Sequence, residues 1–251
     1  KLAAQRLGIR VLQPSTLRDE ATNAVLASLR PDVIVVAAYG KILPPQVLAI
    51  PPKGCLNLHP SLLPKYRGPS PVVAAILDGL EVTGVSIMLL DQGMDTGPIL
   101  AQRPCPIAPQ DTAESLTYRL FQLGAELLKE TLPGWLKGEV QPVPQDHSQA
   151  TYTRRIEKED GQADWSHPAV VLERRLRAFT PWPGLYTRWK GKLLKVLAAV
   201  PLPQPAQAPP GTVVPLDNQD TPCGVTTGDG ILGLRRLQLE GGKAQDARQF
   251  I

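Results

Sequence analysis

Asn57, His59 and Asp95 are side chains that together could stabilise negative charge on a reacting oxygen. Asn57 and His59 alternate with Leu56 and Leu58, so an extended strand would place the amide and the imidazole on one face, about 6.6 Å apart. Asp95 follows an apolar stretch, in the loop Asp-Gln-Gly-Met-Asp-Thr-Gly. A carboxylate beside an imidazole orients the ring and favours its charged form. These residue types therefore predict a site that stabilises an oxyanion or moves protons.

Other interpretations of the same residues exist. Asp95 could form an Asx turn or cap a helix. Cys55 could act as a nucleophile with His59 as its base, as in a cysteine amidohydrolase. A strand would separate these two residues by roughly 13 Å, however, and nothing near Cys55 would lower its pKa, so we expect a small core residue. His147 and His167 have polar or proline neighbours and are expected at the surface.

The composition is that of an ordinary globular protein, with 251 residues, 43% hydrophobic and 20% charged. No apolar run approaches about 18 residues and no signal peptide is evident, so we expect an intracellular protein that makes no use of a membrane. The three cysteines are too far apart for a disulfide framework or a zinc site, and no bound metal is predicted. Because the chain begins with Lys1 inside a stretch of helical spacing, we expect an N-terminal piece to be missing.

The first half of the sequence alternates strands with helices. Residues 33–38 are an apolar run rich in β-branched residues, which suits a central parallel strand, and further strands are expected at 54–59 and 82–90. Helical spacing recurs at 2–8, 19–29, 69–79 and 112–135. This alternation predicts a doubly wound, mostly parallel α/β sheet. Such sheets bind ligands at the carboxyl ends of their strands, where His59 is expected, and the sequence contains no dinucleotide or Walker fingerprint.

The pattern changes after residue 141. A polar stretch and a short helical segment at 168–178 lead into short β-like pieces separated by Gly and Pro, a spacing typical of a small barrel. These pieces are 184–190, 193–200, 212–216, 224–227 and 231–239. We therefore predict an α/β domain at 1–140, a linker at 141–183 and a C-terminal β-barrel at 184–251.

Positive charge is concentrated where these two domains would meet. Residues 151–195 contain ten Lys or Arg against five acidic residues, a net charge of +5, whereas the whole chain carries +4. Such a segment could lie against a polyanion, or it could be an ordinary solvated surface between domains.

Three motifs in the first half keep the order and spacing found in folate-dependent formyltransferases, which this sequence resembles. They are NLHPSLLPKYRG at 57–68, GVSIM at 84–88 and GMDTG at 93–97. The spacing from His59 to Asp95 also matches that of the family's catalytic histidine and aspartate. The second half resembles the linker and added C-terminal domain of members that act on charged tRNA, at 150–160, 164–165, 177–184, 228–231 and 237–247. The resemblance therefore covers nearly the whole chain.

The resemblance implies a Rossmann-like formyltransferase sheet followed by a barrel similar to an oligonucleotide-binding fold. It also implies transfer of a formyl group from 10-formyltetrahydrofolate to the α-amine of methionyl initiator tRNA, in support of translation initiation. By this resemblance, Asn57 and protonated His59 would hold the oxyanion, and Asp95 would keep His59 charged and help move the amine proton to the folate nitrogen through water.

The resemblance also implies a folate site, which would use residues from three segments. They are Lys41, Ile42, Leu43, Ser61, Leu62, Leu63, Pro64, Gln92, Gly93 and Met94. From the charge of the basic segment, we expect Arg154, Arg155 and Lys158 to contact tRNA phosphates.

Two other formyltransferase activities remain open, one on an amino-sugar nucleotide and one on a purine ribonucleotide. The β-rich second half argues against the purine enzyme, which lacks such a domain. A different class of function is a non-catalytic nucleic-acid-binding module. The presence of Asn57, His59 and Asp95 together argues against it. We expect a monomer in a bacterial or organellar cytoplasm.

Overall fold

The computed structural model describes residues 1–205 and 207–250. Ala206 and Ile251, which fall within the predicted barrel at 184–251, lie outside the described residues. The α-helices are α1 (Leu2–Arg6), α2 (Glu20–Ser28), α3 (Pro45–Leu48), α4 (Pro71–Leu77), α5 (Ala113–Lys137), α6 (Ala169–Ala178) and α7 (Ala247–Phe250). The strands are β1 (Ile34–Ala37), β2 (Cys55–His59), β3 (Val82–Leu89), β4 (Ile99–Pro106), β5 (Leu185–Trp189), β6 (Lys192–Leu202), β7 (Val213–Pro215), β8 (Cys223–Thr226), β9 (Ile231–Leu239) and β10 (Ala244–Asp246). In these ranges, no helix is both long and apolar enough to span a membrane.

The first half forms a sheet in the order β1-β2-β3-β4, which confirms the α/β fold class. β1 and β2 are parallel, as predicted, but β3 runs antiparallel to β2 and β4 antiparallel to β3. The sheet is therefore mixed, where the sequence predicted a mostly parallel one. The connection from β3 to β4, residues 90–98, contains no helix, and a connection of this kind joins antiparallel neighbours.

Strand β4 was not predicted. Its sequence, ILAQRPCP, contains Arg103, Pro104 and Pro106, and prolines normally argue against a strand because they cannot donate to the ladder. β4 lies at the edge of the sheet and pairs only with β3 among the described strands. An edge strand needs hydrogen bonds on one side only, so it accommodates the prolines.

Helix α5 covers one face of this sheet. Its N-cap is Thr112, whose side chain accepts a hydrogen bond from Ser115 N, and its C-cap is Gly138, which has the left-handed conformation. Leu56 and Leu58 of β2 belong to the apolar cluster beneath it. Gly124 allows close packing, since a Cβ there would lie 2.7 Å from the Leu58 side chain. This packing directs the alternate residues of β2 to the opposite face.

The second half is a curled antiparallel sheet in the order β5-β6-β9-β8-β7, with β10 also pairing to β9. All five predicted β segments contain strands. Their inward residues form one core with Leu172 and Leu176 of α6. Mixed α/β followed by a curled antiparallel sheet is thus the architecture of this chain.

The predicted linker packs against the first half. Arg67 N donates to Thr151 O (2.9 Å) and Thr153 N donates to Arg67 O (2.7 Å), so this part of the linker runs beside the loop after β2 as a short parallel pairing. Further along, Phe179 is buried in a cluster with Val72 and Leu116. Both contacts fix the linker to the sheet domain.

Candidate active site

Strand β2 presents Asn57 and His59 on the face that α5 does not cover. Leu56 and Leu58 take the buried positions under α5, and the alternation along the strand leaves Asn57 half-buried and His59 buried on the other side. His59 lies at the carboxyl end of the strand. The sequence prediction of their shared face therefore agrees with the structure.

Asp95 reaches this face from the opposite end of the strand. Because β3 is antiparallel to β2, the loop that follows β3 begins beside Cys55, where Leu90 N donates to Cys55 O (2.7 Å). The loop then folds back across the sheet. Its Asp95 carboxylate accepts a long hydrogen bond from Asn57 Nδ2 (3.4 Å) and lies 3.7 Å from His59 Nδ1. The three side chains thus meet, although they arrive from different ends of the sheet.

The surroundings hold the ring and the carboxylate in place. His59 Nε2 donates to Tyr66 O (2.9 Å), because a carbonyl oxygen can only accept. Gly68 N donates to Asp95 Oδ2 (2.8 Å). The His59 side chain is 5% exposed and that of Asp95 15%. His59 Nδ1 and Asp95 Oδ2 are farther apart than a hydrogen bond, so Nδ1 remains free to meet an oxygen placed between them.

The loop that carries Asp95 depends on backbone conformations and close contacts. Asp95 itself has φ +53°, in the left-handed region that Asp tolerates better than most residues. A Cβ on Gly97 would lie 1.9 Å from Leu89 O, and one on Gly93 would lie 2.0 Å from Thr96 Oγ1. Gly97 is therefore required for the loop to close against the end of β3, whereas a side chain at position 93 would displace the Thr96 side chain within the loop.

A buried network below the loop was missed by the sequence analysis. Arg67 is fully buried, and its Nε and Nη2 donate to Gln145 Oε1 (3.1 and 2.7 Å). Gln145 Nε2 in turn donates to Asp95 O (2.9 Å) and Gly97 O (2.7 Å). Arg67 Nη2 also donates to His147 Nδ1 (3.2 Å). The exposed ring of His147 is therefore held by a buried residue. Arg67 lies inside the recognised motif, but Gln145 carries no sequence signal of its own.

Cys55 is unsuited to nucleophilic catalysis. It is buried beside α3, with its Sγ 3.9 Å from Val47 O. Burial raises the pKa of the Cys55 thiol to about 11, so the reactive thiolate is scarce at neutral pH. The expectation of a small core residue agrees with this environment.

The predicted folate segment Ser61, Leu62, Leu63 and Pro64 directly follows His59 and is held by β3 and β4. Ser86 Oγ donates to Ser61 O (2.6 Å) and accepts from Leu63 N (3.1 Å). Gln102 Nε2 donates to Leu63 O (2.9 Å). Leu63 is buried, whereas Leu62 and Pro64 are half-buried. The segment is thus a firmly held turn next to the strand face that carries Asn57 and His59.

The other two predicted folate segments are more open. Gln92, Gly93 and Met94 are exposed in the Asp95 loop, and Met94 Sδ would lie 3.4 Å from a Cβ on Gly68.

Lys41, Ile42 and Leu43 follow β1. Lys41 Nζ donates to Ser15 O (2.7 Å), Ile42 is 87% exposed, and Leu43 lines an apolar cavity of about 660 Å³ between α2 and β1. Among the described contacts, no hydrogen bond or ion pair joins Lys41 to Asn57, His59 or Asp95.

The predicted tRNA contacts have unequal surroundings. Arg154 forms an ion pair with Asp160, and the pKa of the Asp160 carboxyl falls to about 2, mainly because of this hydrogen bond. Arg155 and Lys158 are exposed, with no ion pair in the described part of the chain. Their charges are therefore the more available ones. No cluster of His, Cys, Asp or Glu suited to a metal ion occurs in the same residues.

Two family matches cover most of the chain. The family described as "Formyl transferase" matches residues 2–132, and "Formyl transferase, C-terminal domain" matches residues 155–251. Among solved structures, the methionyl-tRNA formyltransferase from Clostridium thermocellum superposes with a TM-score of 0.60 at 23% identity, over 74% of this chain and 79% of that one. HypX from Aquifex aeolicus in complex with tetrahydrofolic acid gives 0.68 at 21% identity, over 91% of this chain and 40% of that one. These likenesses support the fold.

Similarity in sequence is much higher to other proteins. The methionyl-tRNA formyltransferase of Roseiflexus sp. (strain RS-1) is 54% identical over 96% of this chain and 74% of its own length. That of Myxococcus xanthus (strain DK1622) is 47% identical over 100% of this chain and 79% of its own length. The chain therefore belongs to the formyl transferase family.

Proposed function

We infer that this chain transfers a formyl group from a folate donor to the α-amine of methionyl initiator tRNA. The observation that carries this inference is the meeting of Asn57, His59 and Asp95 on one face of the sheet. It occurs in a chain whose relatives, at 47–54% identity over 96–100% of this chain, are methionyl-tRNA formyltransferases. The activity supports translation initiation.

The chemistry of the three side chains suits acyl transfer to an amine. Asn57 Nδ2 has a second N–H beyond the one directed at Asp95, and His59 Nδ1 is not committed to a short hydrogen bond. Both can donate to an oxygen that gains negative charge during attack by the amine. The Asp95 carboxylate complements a protonated His59 ring and can help pass the amine proton through water to the folate nitrogen, whose bond to the formyl carbon breaks as the new amide bond forms. A mostly buried site strengthens each of these interactions.

The folate donor, which we take to be 10-formyltetrahydrofolate, supplies the formyl carbon. The residues around the catalytic face fit such a molecule, since a flat apolar group needs apolar neighbours with a few polar groups at its edge. Leu62 and Pro64 stand half-buried directly after His59, and Met94 is exposed beside Gly68. Because β1 and β2 are parallel, their carboxyl ends lie side by side. The loop with Lys41, Ile42 and Leu43 follows the end of β1 and therefore leaves the sheet near the end of β2.

We assign the tRNA mainly to the second half. In this division of labour, residues 1–140 perform the chemistry, the basic segment 151–195 and the adjoining face of the barrel hold tRNA, and Arg155 and Lys158 contact phosphates. Arg154 contributes less, because Asp160 already balances its charge. The chain acts as a monomer in the cytoplasm, and no metal takes part in the assigned chemistry.

The acceptor can be tested directly. Charged initiator tRNA, an amino-sugar nucleotide and a purine ribonucleotide are each offered with 10-formyltetrahydrofolate, and formylated product is measured by mass spectrometry. We expect the tRNA alone to be formylated. Formylation of either nucleotide in place of tRNA would overturn the substrate assignment, and no product with any acceptor would overturn the enzymatic function.

Reversing the charges of Arg155 and Lys158 together to Glu is expected to raise the KM for tRNA. The slope of log affinity against log salt should flatten by about 1.5 to 2, because two fewer phosphates would be neutralised. Binding is measured by filter retention between low and physiological salt.

The matched control reverses Lys129 and Lys137, two exposed lysines of α5, which changes the net charge by the same amount. It should leave tRNA affinity near that of the unchanged chain. Equal effects of the two double reversals would mean that only net charge matters, and the phosphate assignment would then be wrong.

A further inference from the structure

Arg67 is a buried cation whose side-chain partners are all uncharged groups. In residues 1–205 and 207–250 no carboxylate pairs with its guanidinium. Its donors go to Gln145 Oε1, Tyr152 Oη (3.0 Å) and His147 Nδ1. Burying a charge without an opposite charge is costly. A carboxylate at position 145 would relieve that cost, yet the chain has an amide there.

The hydrogen bonds on the other side of Gln145 explain why an amide is needed. Asp95 O and Gly97 O are carbonyl oxygens that can only accept, and Arg67 can only donate. A side chain between them must therefore accept at one end and donate at the other. Gln145 does both, and Arg67 determines which way round its amide stands. A glutamate would satisfy Arg67 but would direct an oxygen at two oxygens.

The two carbonyls held by Gln145 belong to the bend that aims the Asp95 side chain. Asp95 has a left-handed backbone conformation, which residues other than glycine adopt mainly where neighbouring contacts maintain it. Gln145 Nε2 bonds to the carbonyl of Asp95 itself and to that of Gly97. Gln145 therefore holds the backbone of the bend, while Gly68 N and Asn57 Nδ2 donate hydrogen bonds to the Asp95 carboxylate.

We propose that Gln145 is a positioning residue for formyl transfer, with Arg67 fixing the orientation of its amide. Gln145 acts through Asp95 and has no contact with the reacting groups. This inference rests on the proposed function for its kinetic consequences only. The mechanical part, that Gln145 maintains the Asp95–Gly97 bend, can be measured without any substrate.

The decisive variant is Gln145→Glu. Its carboxylate accepts from Arg67 as an ion pair, so the variant is expected to fold, but it cannot donate to the two carbonyls. We expect kcat to fall by about ten- to a hundredfold, the scale of a small misplacement of a catalytic group. The KM values for folate and tRNA should change by less than about twofold, since neither substrate touches Gln145. Gln141→Glu, an exposed position on the same segment, is the control for the added charge.

A second measurement separates this proposal from the proposed function. Hydrogen–deuterium exchange of the peptide covering 91–98 should speed up in Gln145→Glu and remain unchanged in Gln141→Glu. If Gln145 only satisfies Arg67, the glutamate variant keeps its kcat and its exchange rate, and the proposal is overturned. If the unchanged protein forms no formylated product, the proposed function fails, while the exchange result still decides whether Gln145 holds the bend.

Discussion

Replacing His59 with alanine is expected to lower kcat for formyl transfer by at least about a hundredfold, the scale of removing an oxyanion donor. Asn57→Ala and Asp95→Ala should each have effects of similar size, because each removes one of three neighbouring groups. The Asp95 carboxylate lies 3.4 Å from Asn57 Nδ2 and 3.7 Å from His59 Nδ1. Folate binding, measured by fluorescence titration, should change much less. Turnover is measured with charged tRNA at saturating folate.

Asp95→Asn sharpens this test. The asparagine keeps an oxygen that can accept from Gly68 N but removes the negative charge next to His59. Its kcat should fall nearly as far as that of Asp95→Ala if charge is what Asp95 supplies. Gln110→Ala is the control, since Gln110 is exposed and lies outside the residues assigned to either substrate. Near-normal turnover in any of the three alanine variants would show that its assigned role is wrong.

Gly97→Ala should reduce both stability and turnover. Its Cβ would lie 1.9 Å from Leu89 O and 3.0 Å from Leu89 C, and backbone atoms cannot rotate away as a side chain can. We expect a loss of about 1–3 kcal/mol, at about 2–4 °C of Tm per kcal/mol for a chain of this size. The loop must also shift, which moves Asp95, so kcat should fall as well.

Gly138→Ala separates this steric effect from backbone strain. Gly138 has φ +79° at the end of α5, and its Cβ position is open to solvent space. Alanine there should lower stability by about 1 kcal/mol through the left-handed conformation, with kcat unchanged. If Gly97→Ala behaves like Gly138→Ala, the close approach to Leu89 has no catalytic consequence.

The local patterns of the sequence predicted most of the elements. Alternation in β2 placed Asn57 and His59 on one face, and the periodicity of α5 and the short β segments matched the observed helices and strands. Strand β4 was not predicted because its prolines argue against a strand, and only its position at the sheet edge makes these prolines tolerable. The antiparallel direction of β3 was not predicted because periodicity within a strand carries no information about the direction of the strand beside it.

Part of the site was predictable from residue types and strand alternation. They suggested that Asp95 lies beside His59, the family's spacing supported this pairing, and the structure brings the two together. Gln145 could not be predicted, since it contacts Arg67 across 78 residues in a polar stretch without periodicity. Arg154 was expected to contact tRNA phosphates, and its pairing with Asp160, six residues away, was not foreseen. The contact between Arg67 and Gln145 arises from tertiary packing alone.

The pairing of residues 151–153 with the loop around Arg67 determines where hybrids of two relatives can be joined. Tyr66 N donates to Thr151 Oγ1 (2.8 Å) and Ser70 N to Thr153 Oγ1 (3.0 Å), so the segment packs as part of the half that carries Asn57, His59 and Asp95. A chimera joined directly after α5 would combine an Arg67 loop from one parent with a Gln145 segment from another. A junction after Thr153 transfers both together, and it coincides with the start of the C-terminal family match at residue 155.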